Sequence, residues 1–454
     1  MLTTMLRRWI AGCTAACMTA VVLIGCGSDG DQAETGPEAS AAAGTAAQVR
    51  VPEDVTTLGE AADRVAPGGT ILIGAGHYAE QLLIDTPDVT VRGVDRNDTV
   101  IDGGGIRPYG VVAVADGVRV ENITVTGATF YGVLFTGLHD ENGPSAPTAD
   151  GYQRWDPQQF PPLQRFRVDH VTAFNNGLYG IYAFNSQHGV ITDSYASGSA
   201  DSGFYVGQCR DCDVLVTGNV AERNAVGFEN ANASDSVVVA GNRFAGNRVG
   251  LTLLSSYQEA FLPQHANQVV GNLISDNDEA DSPAQADGGF GTGIGIGGGQ
   301  SNTVERNRIS GNARAGVILT NTEDIPATDN RFRDNVLDDN AVDMANQSAE
   351  RTPATGNCAT GVATTLPTTL LAELSAACDS ADGQPQASTA TAEGPDAPPG
   401  KSFKQVTSPI DQPNLAAADP AAASKPLPGI VAMPDLTTLT VPAADLLQAN
   451  SGTR

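Results

Sequence analysis

Tyr182, Tyr205, Glu229 and Thr252 occupy matching places in four successive segments, each shortly after a glycine, and such a row brings phenol rings and a carboxylate into line. Exposed aromatic faces suit the apolar faces of sugars, and a carboxylate beside them can bond hydroxyls or move a proton. Phe184 falls one pleat further along the same row. Two longer stretches flank it: Leu138 to Arg165 carries Tyr152, Trp155 and Asp156, and Ser255 to Ala266 carries Tyr257, Glu259 and His265. Four coils apart, roughly 19 Å, they would wall a groove several sugar rings long. Tyr152, Trp155, Tyr182, Phe184, Tyr205 and Tyr257 are thus candidate carbohydrate contacts, with Glu229 and Asp156 as candidate acid or base. A plainer reading stands beside this one. Cross-strand tyrosines stabilise sheets without a ligand, and Glu229 also reads as a solvated surface acid.

What must position this row is a repeat. Asn219, Asn242, Asn272, Asn307 and Asn330 each open a short segment, and Asn224, Asn247, Asn277, Asn312 and Asn335 follow five positions later. Glycine and a β-branched or apolar alternation come next, as in Gly250-Leu251-Thr252-Leu253 and Gly316-Val317-Ile318-Leu319. A fixed step with one supersecondary unit per period marks a stacked solenoid, and about 20 to 25 residues per step suits one turn of a parallel β-helix. Asparagine stacks on itself from coil to coil and tolerates left-handed corners. Extended upstream, the register puts Asn122, His170 and Asp193 at the ladder position. From Asn122 to Asn330 the steps are then 48, 23, 26, 23, 30, 35 and 23 residues, so three coils carry insertions. With 51 glycines and 5% aromatic residues, the chain is composed for a long core of small apolar side chains.

Three further groups have chemistry. His170 and Asp193, side by side in the expected ladder, could seat a metal, form an acid-base pair, or be buried substitutes satisfied by neighbours. Asp278, Glu279 and Asp281 in the third insertion offer oxygen ligands to calcium, although no twelve-residue loop pattern accompanies them and an acidic solvated loop is the default. Calcium is therefore the one cofactor option. Cys209-Arg210-Asp211-Cys212 stands without a second such pair, which favours a local disulfide over a redox or metal motif, and Cys358 is expected to pair with Cys378.

The first 25 residues carry Arg7 and Arg8, then an apolar run to Ile24, which is a secretory signal rather than a lasting span. Leu23-Ile24-Gly25-Cys26 resembles a bacterial lipobox, which implies lipidation of Cys26 and attachment to the outer face of the cell membrane. Residues 26–48 then read as a flexible tether. Net charge is −27, and loss of the two signal arginines takes it to −29, which excludes nucleic acid as a partner. A polysaccharide and the membrane are the expected partners of a monomer.

Both ends of a solenoid must be covered. Leu58, Ala61, Ala62 and Val65 at helical spacing, with Thr57 and Glu60 as a capping box, predict an N-terminal lid over 55–66. Leu370, Leu371, Leu374 and Ala377 predict a C-terminal lid within 351–380, leaving 49–350 for the β-helix. Residues 381–454, rich in Ala, Pro, Ser and Thr, predict a largely disordered tail in which Ile430 to Leu447 is apolar enough to lie on the solenoid.

The segment Gly69-Thr70-Ile71-Leu72-Ile73, with Gly76-His77-Tyr78-Ala79-Glu80 and Val89-Thr90-Val91-Arg92-Gly93 ahead of the Asn-rich coils, resembles the right-handed parallel β-helix proteins of the pectate-lyase-like superfamily. The resemblance covers roughly Val51 to Met344 and implies an all-β solenoid with short helical caps. It leaves function open among lyases, hydrolases, esterases, epimerases and binding proteins. Gln187-His188-Gly189 matches part of a polygalacturonase motif, and His139-Asp140-Glu141-Asn142 does not reproduce the Asp-Pro-His-Glu run of alginate epimerases. The coil pattern is similar to NosD-type maturation proteins. The expectation is a surface lipoprotein that binds, and as a lyase or glycoside hydrolase would process, a carbohydrate; the alternative is a non-catalytic glycan-binding or maturation scaffold.

Overall fold

A computed structural model describes residues 45–140, 143–144, 156, 158–284, 288–380, 383–416 and 425–452. The signal, Cys26, most of the tether, Tyr152 and Trp155 lie outside the described residues. Within them, three parallel sheets of twelve, ten and eleven strands run the length of the solenoid, the third with a short antiparallel strand, Ile325–Pro326, added at its side. Each coil contributes one strand to sheet I, one to sheet II and one to sheet III in that order, so that Thr90–Gly93, Thr99–Asp102 and Tyr109–Ala113 make up one turn. This is the expected right-handed parallel β-helix. Side chains facing inward from all three sheets form one continuous core, from Val49 through Ile181, Phe204, Phe228 and Leu251 to Leu374.

Asparagine ladders hold the corners, but there are three rather than two. Asn219, Asn242, Asn272, Asn307 and Asn335 form the first, each Nδ2 donating to the next Oδ1 at 2.9 to 3.0 Å. Asn224, Asn247, Asn277, Asn312 and Asn340 form the second. Asn302, Asn330 and Asn357 belong to a third, which Gln386 closes. Asn330 and Asn335 are thus each one ladder away from their expected places, because the coil after Asn307 spans 28 residues. The upstream register also shifts by one. Ser194 continues the first ladder, bonding Asn219 through its amide and Val171 through its Oγ. Asn122, His170 and Asp193 stand one residue earlier, at a left-handed corner with φ of 56, 53 and 48° that Gly218, Gly241 and Gly271 fill further on.

The glycine column explains why Asn and Gly recur together. A Cβ on Gly227, Gly250 or Gly293 would lie 2.6 to 2.9 Å from the amide nitrogen of a second-ladder Asn and 2.5 to 2.7 Å from the next glycine's carbonyl oxygen. Close stacking of backbone on ladder leaves no room for a side chain.

Both lids form. Helix α1 (Leu58–Arg64) starts on the Thr57–Glu60 capping box and buries Leu58 and Ala61. Helix α2 (Leu370–Ala377) buries Leu370 and Leu374 and ends at Cys378, which is bonded to Cys358; Cys209 and Cys212 are bonded to each other. The first strand, Ala46–Val51, starts slightly before the expected boundary. No helix among the described residues is long and apolar enough to cross a membrane.

The tail has little regular structure, as its composition predicts, with three short 3-10 turns among its described residues. Where the sequence suggested a mostly unpacked segment, however, these residues run along the solenoid in three legs. The first travels back toward the N-terminal coils, past Arg314 (Nε to Ala392 O, 3.1 Å) and Arg248 (Nη1 to Pro398 O, 2.9 Å), to Arg96 (Nη1 to Pro413 O, 3.0 Å). The second returns over sheet I, where Val431, Met433, Leu436 and Leu439 cover Leu215, Val238 and Ala240. The last passes Arg308 (Nε to Pro442 O, 2.9 Å) and reaches Glu222, which accepts the Gly452 amide at 2.8 Å. Arginines reach backbone carbonyls here, a contact that leaves no trace in the tail's own sequence.

Candidate functional site

The outer face of sheet III carries two aligned columns. Leu83, Val112, Leu134, Tyr182, Tyr205, Glu229 and Thr252 pair coil by coil, and Tyr109, Tyr131 and Tyr179 stand beside them. Their alternation is as expected: Ile181, Phe204, Phe228 and Leu251 point into the core and the next residue points out. The second column is written in the sequence as three Tyr-Gly dipeptides, 109–110, 131–132 and 179–180, and was the overlooked signal.

The rings contact one another closely. Tyr131 and Tyr179 are parallel at 5.7 Å, Tyr179 meets Tyr182 and Tyr205 at 4.6 Å each, and Tyr182 and Tyr205 meet edge-on at 4.8 Å. This corrects the picture of an exposed platform. Tyr182 and Tyr205 are 4% and 3% exposed, and Phe184 meets Tyr182 at 5.2 Å with planes tilted by 38° and is buried as well. Accessible aromatic surface comes instead from half-buried Tyr109 and Tyr179 and from exposed Phe130. Burial raises the phenol pKa of Tyr131 to about 12 and pushes those of Tyr179, Tyr182 and Tyr205 well up, so all four stay protonated.

Two carboxylates close the row. Glu229 is half-buried, and its Oε2 accepts from Ser202 Oγ at 2.5 Å. Glu259 comes from the second insertion, whose sequence marks it as a groove-wall acid without giving it a catalytic or binding role. That loop does not stand as a wall at its own coil but leans back, held by Asn232 Nδ2 on Ser256 O and Glu259 O at 2.7 and 2.9 Å and by the Ala260 amide on Gln208 Oε1 at 3.0 Å. Glu259 Oε1 thereby accepts the Tyr205 hydroxyl, while Oε2 is shut from solvent without a partner, although the residue as a whole is half-buried. Burial raises this carboxyl to about 8, against the pull of the Tyr205 hydroxyl and the Gln208 backbone, so it carries a proton at neutral pH.

The remaining candidates do not converge on this site. Asp156 is exposed and caps its own turn, accepting the Gln158 amide at 2.8 Å. Tyr257, 43% exposed, bonds Asp324. Glu279 Oε1 accepts the Asp281 amide at 2.7 Å and Asp281 pairs with Lys401 at 2.8 Å, so these acids are engaged singly; Asp278 is exposed beside them, its carboxyl raised by burial and by Asp276. Among the described residues one group of three metal-capable side chains converges: Asp169, His170 and Asp193, at the corner between sheets I and II. There His170 Nδ1 lies 2.6 Å from Asp169 Oδ1, Arg167 holds Asp169 Oδ2 at 2.6 Å, and Thr192 bonds Asp193 at 2.7 Å.

Residues 80–287 match the family of periplasmic copper-binding proteins (NosD), and residues 261–366 match the right-handed β-helix region family. No curated protein is similar enough in sequence to be named as a relative. Similar solved structures include two A-modules of Azotobacter vinelandii mannuronan C-5 epimerases. Both are 18% identical, with TM-scores of 0.43 and 0.45, over 64% and 66% of this chain and 78% and 80% of theirs. Pectate lyase Pel9A is 16% identical with a TM-score of 0.36, over 61% of this chain and 70% of its own. The likeness is one of fold.

Proposed function

We propose that this is an exported protein, lipid-anchored through Cys26, whose β-helix binds a polysaccharide along the outer face of sheet III. The observation that carries the reading is the run of five tyrosines, Tyr109, Tyr131, Tyr179, Tyr182 and Tyr205, that leads coil by coil to Glu229 and Glu259. Phenol rings present apolar faces with hydroxyls at their rims, the combination that sugar rings require. The tail supports the same face. Its described residues lie over sheet I and along sheet II, and over sheet III only at the far end, where Ala392 packs on Ile318 and Ala345. Turnover, if the bound chain is processed, falls to Glu229 as the half-buried carboxylate of the row.

The test is retention on a glycan array followed by the same assay on Tyr179→Ala with Phe130→Ala. The pair should lose at least tenfold in retention, and Phe130→Ala alone, at an exposed ring, should lose part of it while melting as the parent does. Unchanged retention sinks the reading. Product release from a retained glycan, abolished in Glu229→Gln, would add catalysis.

The match to the NosD family over residues 80–287 favours a second reading, a maturation scaffold. Copper itself fits the described residues poorly. Both oxygens of Asp169 are already taken by His170 and Arg167, and Met344 is sealed in the core, so no soft donor set converges. A protein that co-purifies after membrane solubilisation, with no glycan retained, would favour the scaffold.

A further inference from the structure

Sheet III has a physical end. Its first strand is Leu82–Ile84, against which α1 packs while sheet I alone runs one strand further, and Leu83, 45% exposed, is the last outward residue of the column. A short hairpin, His139–Asp140 paired with Gly143–Pro144, leans over this end from the first insertion. Between them lies a half-open pocket of about 110 Å³, with Leu83 and Val112 as its apolar floor, Pro144 above, and Tyr109 and Gln81 as its polar side chains. A single ordered water needs about 10 to 15 Å³ of such space, so the pocket holds several waters or the body of one sugar ring.

The position and chemistry of the pocket are specific. Tyr109 stacks on Tyr131 with centroids 5.9 Å apart and planes 21° from parallel, so the ring that opens the tyrosine row also lines the pocket. Its hydroxyl reaches Pro144 O at 3.5 Å, the outer limit of a hydrogen bond, and so remains able to bond a ligand. Gln81 is exposed and adds one amide. None of the described lining residues is charged, and the carboxylates of the row stand at its other end.

Resting on the carbohydrate reading above, we propose that this pocket takes the terminal ring of a neutral glycan, so that the groove reads a chain end rather than a chain interior. An uncharged ring with one apolar face stacks on Tyr109 and Leu83, and two of its hydroxyls meet Gln81 and the Tyr109 hydroxyl. A uronate would bring a carboxylate into an apolar pocket with no cation among its described lining residues, on a chain of net charge −27. The hairpin stops the chain from running on.

The experiment uses the full chain and immobilised hexasaccharides of glucose, mannose, galactose, N-acetylglucosamine and galacturonate, each attached once through its reducing end and once through the opposite end. The expected result is retention of a neutral hexamer in one attachment only, lowered at least tenfold by Leu83→Trp, which fills the pocket from an exposed position, and at least threefold by Gln81→Ala. Both substitutions sit at solvent, so unchanged melting separates pocket loss from misfolding. Equal retention in both attachments, preference for galacturonate, or Leu83→Trp within twofold of the parent overturns the proposal while leaving the tyrosine row intact. Failure of the parent to retain any hexamer or any array glycan overturns the carbohydrate reading as well.

Discussion

The Tyr205 hydroxyl bonds Glu259 Oε1 across 54 residues of sequence, and the carboxyl it meets has its other oxygen buried without a partner. The pair joins a coil strand to an insertion two coils further on. It fixes a proton at neutral pH in a place where the sequence showed only a loop acid.

That proton sets a pH dependence. The folded Glu259 carboxyl titrates at about 8, above its ordinary value of 4.5, so the folded state binds the proton more tightly than the unfolded one. Stability from this group is fully present below 4.5 and declines as pH rises toward and through about 8, by a few kcal/mol at most. Glu259→Gln should flatten this alkaline decline, measured as melting temperature from pH 5 to 9. An unchanged slope would show that Glu259 is solvated.

Glu222 acts in the opposite sense. Burial pulls its carboxyl up, but Arg223, Ser451, Tyr195 and the Gly452 amide together hold it below its ordinary 4.5. Its contribution is present above 4.5 and is lost as pH falls further, and the last leg of the tail should loosen with it. Hydrogen exchange at residues 448–452 should rise below pH 4 in the parent, and at neutral pH in Glu222→Gln.

The glycine column should be intolerant where the ladder abuts it. Gly250→Ala puts a methyl 2.6 Å from Asn277 Nδ2 and 2.7 Å from Gly293 O, a clash expected to cost about 2 to 4 kcal/mol. Gly59→Ala, in α1 with nothing within 4 Å, should instead be neutral or gain roughly 0.5 to 1 kcal/mol. Urea melts of the two variants check both signs.

Asn272 makes four side-chain bonds, two accepted from Asn242 and two donated to Val239 O and Asn307 Oδ1. Asn272→Ala leaves those partners buried and unpaired, at a cost of about 3 to 5 kcal/mol in the same urea melts. A loss below about 1 kcal/mol would mean that water replaces the ladder.

Val431, 7% exposed, packs on Leu215 and Val238, and its amide donates to Asp213 at 2.8 Å. Val431→Asp would bury a charge beside that carboxylate, so the second leg should detach. Limited proteolysis should then cut within 425–452 at least tenfold faster while the solenoid stays intact. Equal cleavage rates would show that the arginine contacts alone hold the tail.

The coil period was legible because Asn and Gly recur for one steric reason, and the alternation that aims Tyr182, Tyr205 and Glu229 outward followed from it. The one-residue slip at His170 and Asp193 has a physical cause. Asn, Asp and His adopt the left-handed corner more readily than other residues with a side chain, so at Asn122, His170 and Asp193 the corner residue mimics the ladder. Ser194 also bonds as a ladder member without looking like one. The burial of the tyrosines was not legible, because a row of outward rings says nothing of how tightly neighbouring rings close on one another. Glu259 was legible as an acid of the second insertion but not as the partner of Tyr205, because its place depends on how Asn232 folds back that loop.

The three tail legs alter how such a solenoid comes apart. When each coil touches only its neighbours, the ends fray independently and the array melts in stages. Here one chain segment grips the coils at Arg314, at Arg96 and again at Arg308, so loosening either end forfeits contacts at the other. Partial unwinding gains little, and the protein should open as a single all-or-none unit.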